Sequence, residues 1–261
     1  LYAPKEDIKH RLNWKVPYDN EWRKKFRDFT SYSKSKNIKI IAGIAPGLSF
    51  NYNCLNTNLS IEMKSDFILL FNKASQLLED GATNIALLLD DIPDNFDKTS
   101  GAKLSEGTSH GVLANNLSEK LGKYIYFVPR IYADELIQDN LNYLIDLSII
   151  LHKHIKIFYC GENIISKNLT NYSKVFKILP NKFVYWDNYY ANDYCPRRLF
   201  VGPYVGRAGL KNVMINPTGL IKTDLLILDI VANTIDKKNP HETWKKTLIN
   251  HGVPSIFNKI K

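Results

Sequence analysis

Apolar runs alternate with amphipathic helical patterns along most of this chain, and that alternation defines its class. Ile38–Ile44 reads as a strand that stops at Ala45-Pro46-Gly47, where proline removes a ladder donor and glycine opens a loop. Phe67, Leu70, Phe71, Ala74, Leu77 and Leu78 recur at helical spacing, and Gly81 closes that helix. Ile85–Leu89 is the next strand, apolar without interruption, as expected of a strand covered on both faces. A helix near Leu113–Leu121, a strand Tyr124–Val128 ended by Pro129, and a helix Leu141–Leu151 follow. Ile155–Tyr159 and Phe183–Trp186 are strands joined by a short helix-bearing connection. Val213–Ile215 is a last short strand, and Thr223–Ile235 a nearly all-apolar helix.

Strands alternating with helices in this way specify parallel βαβ units. With the short entry Tyr2-Ala3 counted, about seven strands are visible, one fewer than an eight-stranded β/α barrel needs. A doubly wound open sheet is the structural alternative. No Gly-x-Gly-x-x-Gly follows any strand, so a dinucleotide site has little support.

Composition narrows the picture further. The chain has 261 residues, 44% of them hydrophobic, enough for one large domain or two small ones and well outside the range of disordered chains. No apolar run reaches the roughly 18 residues that cross a bilayer, so a soluble protein with no membrane span is expected. The net charge of +9 invites a nucleic-acid partner, but the lysines are scattered over helical stretches and read as solvated faces. Attraction to an acidic substrate stays open. Cys54, Cys160 and Cys195 show neither zinc-ligand spacing nor a disulfide framework; Cys160 reads as a small buried residue. This cysteine usage favours a reducing, cytoplasmic compartment.

Chemistry enters at the strand ends. Asp90 and Asp91 close the apolar strand, and two unpaired carboxylates cannot lie in a dry interior, so they belong at the carboxyl-terminal mouth of the sheet. Glycosidases commonly need two such groups; the bland reading is that the pair starts a loop or caps a helix. The other strands end at Lys5, at Tyr132, at Tyr159-Cys160-Gly161, in Trp186-Asp187-Asn188-Tyr189-Tyr190-Ala191-Asn192-Asp193, and at Asn216-Pro217. Rings cover the apolar face of a pyranose, while amides and carboxylates exchange hydrogen bonds with its hydroxyls. A barrel would bring these endings to one rim.

These motifs resemble glycoside hydrolase family 84, the O-GlcNAcases and their bacterial β-N-acetylglucosaminidase relatives. The likeness runs from Leu1-Tyr2-Ala3-Pro4-Lys5 through the carboxylate strand, Trp186–Asp193 and Asn216-Pro217 to His241-Glu242-Thr243-Trp244. It implies a TIM-type (β/α)8 barrel over residues 1–236, lacking its first strand in this sequence, and the start of a helical extension over 237–261. It also implies a retaining exo-β-N-acetylglucosaminidase that removes terminal β-linked N-acetylglucosamine, classically from Ser or Thr of glycoproteins. The substrate's own acetamide would attack the anomeric carbon, giving an oxazoline, so no protein nucleophile is required. Asp90 would orient the acetamido nitrogen, and Asp91 would act as acid and then base. Tyr132 and Asn188 would hold the acetamido group, Trp186 would wall the pocket, and Lys5, Asp193 and Asn216 would bind hydroxyls. No metal or organic cofactor is implied.

Several departures stand against the family pattern. Its Gly-Phe-Tyr-Gly-type turn is absent before Leu1, so another segment or a second chain is expected to supply the first strand. Tyr159-Cys160-Gly161 stands where the family has Trp-Thr-Gly, and Arg130-Ile131 where it has Thr-Glu. The rival expectation is a catalytically impaired relative that binds the sugar without turning it over.

Overall fold

The computed structural model describes residues 5–55, 65–96, 100–169, 174–193, 195, 197, 199–207, 209–235 and 239–254. Six strands form one sheet: β1 (Ile41–Ile44), β2 (Asn84–Leu88), β3 (Tyr126–Val128), β4 (Lys156–Tyr159), β5 (Lys182–Asp187) and β6 (Val213–Ile215). Their order in the sheet is their order in the chain. The registered pairs are parallel, with Gly43 opposite Ala86, Leu88 opposite Val128, Tyr126 opposite Lys156 and Tyr185 opposite Val213. The parallel α/β class expected from the alternation is therefore the observed one. The further expected strand, Tyr2-Ala3, lies outside the described residues.

The helices are α1 (Asn20–Ser35), α2 (Asp66–Glu79), α3 (Glu106–Leu121), α4 (Leu141–Ile150), α5 (Val175–Ile178), α6 (Ile221–Thr234) and α7 (Pro240–Asn250). The chain divides into two compact units. One comprises Leu1–Tyr132, Leu136–Phe158 and Lys174–Phe183; the other Ala133–Glu135, Tyr159–Ser173 and Val184–Lys261.

In the first unit every residue of β2 is buried, as its unbroken apolar run requires. α2 buries Phe67, Leu70, Ala74 and Leu77, while Phe71 and Leu78 sit half-buried at the flanks of that face. The same helix buries Lys73, which the apolar pattern did not reveal. Its ammonium donates to the carbonyls of Lys9, Asn13 and Val16 at 2.6, 3.3 and 2.5 Å and lies 4.2 Å from the centre of the Tyr18 ring. A buried cation is tolerable when its donors are met in this way. These bonds secure a π-type turn, Ile8–Leu12, which Asp7 caps through the His10 amide. The His10 carbonyl in turn accepts the Ala45 amide at the end of β1.

α1 has a clear local cause. The Asp19 carboxylate caps it at the Trp22 amide, 2.8 Å away, and Tyr18, Trp22 and Phe26 stack in sequence along its first turns. α3 begins at Glu106, well before Leu113, with Ser105 as its cap. Gly107 and Gly111 thin out its apolar periodicity, and both are needed there. A Cβ on Gly107 would collide with the Tyr143 carbonyl oxygen, and one on Gly111 would sit 3.0 Å from the Ile150 side chain. The two glycines let α4 lie close against α3.

The second unit packs around Tyr190, Tyr204, Ile227, Ile230, Trp244 and Leu248, joining α6 to α7. The Trp244 indole donates to the Val201 carbonyl at 2.7 Å. α6 is apolar nearly all round but buries only one side of its surface. On the other, Ile221 is 80% exposed, Leu225 59% and Leu228 52%.

Candidate active site

The strand β2 ends its ladder at Leu88, and the Leu89 amide makes one more bond to the Val128 carbonyl at 2.9 Å before the chain turns away. Asp91 then adopts the left-handed conformation, with φ of 55°. Aspartate tolerates that region better than branched residues because its short side chain bonds locally. The backbone thus leaves strand geometry at Asp91, and the two carboxylates have different partners.

Asp90 is buried. Its Oδ2 accepts from Arg11 Nη2 at 3.2 Å, and its main-chain carbonyl accepts from Arg11 Nη1, also at 3.2 Å. Arg11 itself is only 2% exposed. Burial pushes the Asp90 carboxyl up to about 6; the Arg11 charge opposes that rise and the neighbouring Asp91 adds to it. Asp91 is more open. It accepts the Tyr132 hydroxyl at 3.0 Å and lies 3.7 Å from the exposed Lys5 ammonium. The Lys5 contact is a surface pair and holds little energy. Lys5, Asp91 and Tyr132, three of the residues expected at the site, thus meet, and Asp90 lies beside them in the chain.

The Arg130 departure has a structural role. Its guanidinium forks onto Glu106 with two 2.6 Å bonds and reaches Asn140 at 3.0 Å, tying the end of β3 to the start of α3. The Arg130 amide donates to the Tyr143 hydroxyl, which also bonds the buried His110 at 3.1 Å. Burial drives that imidazole down to about 3, so it stays neutral.

In the second unit, Trp186 and Asn188 share strand parity at the end of β5, and both are buried. The Asn188 amide nitrogen donates to the Ile164 carbonyl at 2.9 Å and to the Cys160 sulfur at 3.4 Å; its oxygen accepts from Asn216 at 3.0 Å. Cys160 is buried, as its sequence setting suggested. Asn188 and Asn216 are therefore joined directly. Asp193 lies exposed in the loop that follows.

Between Trp186 and Asn188, Asp187 points the other way, into a buried ion pair. Arg207 donates to both its oxygens at 2.9 Å, Tyr204 donates at 2.8 Å, and the Tyr189 amide at 3.1 Å. Arg207 also bonds the Ser166 and Lys167 carbonyls. This clamp fixes the strand end from which Asn188 projects. Arg11, Asp187, Tyr204 and Arg207 had no assigned role from sequence. The alternation of β5 was the available signal for Asp187, since a carboxylate facing away from Trp186 and Asn188 into a core must find a cation. Among the described residues, no group of three or more His, Cys, Asp or Glu side chains is arranged to hold a metal ion.

Comparison with known proteins bears on this geometry. A family profile described as beta-N-acetylglucosaminidase matches residues 1–248. The chain is 28% identical over 263 aligned positions to the Protein O-GlcNAcase of Mus musculus, covering 96% of this chain and 27% of that protein. The Rattus norvegicus protein of the same name matches over the same shares at the same identity. The chain thus spans about a quarter of the length of these relatives. A solved mutant of the Thermobaculum terrenum O-GlcNAc hydrolase superposes with a TM-score of 0.80 at 25% identity, covering 97% of this chain and 56% of that one. The profile spans nearly all of the sequence, and the chain belongs to the beta-N-acetylglucosaminidase family, glycoside hydrolase family 84.

Proposed function

We propose that this chain carries the catalytic module of a retaining exo-β-N-acetylglucosaminidase, removing terminal β-linked N-acetylglucosamine from Ser or Thr of glycoproteins. The observation that carries the reading is the pair of adjacent carboxylates in unlike settings, Asp90 buried against Arg11 and Asp91 open beside Tyr132. Family membership and the Protein O-GlcNAcase relatives support it. Residues 1–236 would form the module and 237–261 the start of a helical extension. The six parallel strands would belong to a (β/α)8 barrel completed by strands outside the six, from another segment or a second chain.

In the proposed reaction the acetamido oxygen attacks the anomeric carbon as the bond to the aglycone oxygen breaks. Asp91 gives its proton to that oxygen. Asp90, as carboxylate, accepts the acetamido N–H and favours its partial positive charge in the oxazoline. Water then attacks the anomeric carbon, Asp91 takes its proton, and the ring reopens with the configuration retained. This is the substrate-assisted exception to the two-carboxylate double displacement. Tyr132 and Asn188 hold the acetamido group, Trp186 covers a sugar face, and Lys5, Asp193 and Asn216 bond hydroxyls.

The test is leaving-group dependence. Asp91→Asn is expected to lose most turnover, about a hundredfold or more, on substrates with poor leaving groups, and much less on activated aryl glycosides. Equal loss on both would remove the acid role from Asp91.

A further inference from the structure

We propose that Arg11 is the positioning residue for both carboxylates, fixing Asp90 through its side chain and Asp91 through the Asp90 main-chain carbonyl. The inference rests on the glycosidase reading above and assigns a role to a residue outside the proposed substrate contacts.

Arg11 sits on the Ile8–Leu12 turn, which is held from three sides. Asp7 caps it, Lys73 binds the carbonyls around it, and the Ala45 amide fixes the His10 carbonyl beside it. The turn therefore presents the guanidinium from a rigid base. A planar fork suits the task, because it can place two N–H groups on two oxygens at once. Here the two are Asp90 Oδ2 and the Asp90 carbonyl, each at 3.2 Å. The first bond fixes the direction of the Asp90 carboxylate. The second fixes the peptide plane between Asp90 and Asp91, and that plane is one side of the dihedral angle that Asp91 holds at 55°. Release of the carbonyl would let this peptide rotate and let Asp91 relax towards ordinary strand geometry, away from Tyr132.

Charge gives Arg11 a second effect. Among the described residues, the charges that shift Asp90 are Arg11 from the turn and Asp91 from its own strand end, while Lys5 and Tyr132 meet Asp91. Of these two charges Arg11 favours the ionised form, aided by a backbone hydrogen bond to the Asp90 carboxylate. Without it, burial and Asp91 act together, and the carboxylate that must accept the acetamido N–H becomes protonated over more of the neutral range.

The experiment compares the intact chain with Arg11→Met and Arg11→Lys. It reads kcat/KM on an aryl N-acetyl-β-glucosaminide from about pH 4.5 to about 8.5, and the ¹³C carboxyl titration of Asp90 in the same proteins. Arg11→Met is expected to raise the acidic limb and the Asp90 titration by about one unit or more, with roughly tenfold lower kcat/KM near pH 6 and partial recovery near pH 8. Arg11→Lys keeps the charge and should leave the limb within about half a unit. It should still lower kcat about tenfold, because one ammonium cannot hold both oxygens in the same geometry. A loss equal at every pH, with the Asp90 titration unmoved in Arg11→Met, overturns the electrostatic role. Full kcat in Arg11→Lys overturns the two-point grip, and that variant alone decides the grip if Arg11→Met fails to fold. If the unaltered chain does not turn over, the glycosidase reading falls, while the carboxyl titrations still judge the Arg11–Asp90 link.

Discussion

Burial holds the Asp90 carboxyl near 6, against 3.8 for an ordinary aspartate, even with Arg11 beside it. The folded protein thus binds this proton more tightly than the unfolded chain does. The stability it contributes is fully present below about pH 4 and is lost as the pH rises through about 6. A rise of roughly two units corresponds to about 3 kcal/mol. Asp90→Asn cannot titrate, so it isolates the effect. Urea unfolding at a series of pH values should show the unaltered chain losing about 3 kcal/mol relative to Asp90→Asn between about pH 4 and about pH 7. A constant difference across that range would mean that Asp90 ionises like a surface carboxylate. At this scale the sequence was partly legible. The aspartate pair at the end of an unbroken apolar strand is visible by eye, and so is Tyr132. The cation that meets Asp90 is not, because Arg11 lies 79 positions away and looks like any other basic residue.

Strand positions were read well, because a parallel strand buried on both faces leaves an uninterrupted apolar run. Val213–Ile215 has the expected bounds, and β2 and β4 differ from expectation by one residue at one or both ends. β1 starts later than Ile38, a residue that is 58% exposed. Helix starts were read less well, since caps and close packing shape them as much as periodicity does. α3 is the clearest case. The glycines that blur its pattern are the ones that admit α4, and α4 carries the Tyr143 hydroxyl that meets the Arg130 amide. Gly107→Ala should therefore push the two helices apart and destabilise the fold by about 2 kcal/mol, the usual range for overpacking. A denaturant midpoint shifted down with an unchanged slope is the expected reading. A gain in stability, as helix propensity alone would give, would show that the helices separate without cost.

For the molecule as a whole, the outer side of α6 is the feature that composition concealed. Its sequence is nearly all apolar, yet Ile221, Leu225 and Leu228 line an exposed stripe at helical spacing. Contiguous apolar surface of this kind favours association. Leu225→Lys combined with Leu228→Glu should lower the mass-average molecular weight seen by sedimentation at high protein concentration. The melting temperature should move little, because exposed positions contribute little to stability. Unchanged sedimentation would mean that the stripe does not drive contact between copies.

The sheet order has a separate consequence for how the polypeptide reaches its native state. Each strand neighbours the one made just before it, as with Gly43 beside Ala86 and Leu88 beside Val128. Among the described residues no registered pairing joins distant strands, so each loop to be closed spans only the segment between consecutive strands. A chain emerging from the ribosome could add its strands one at a time, each new one finding an edge already laid down.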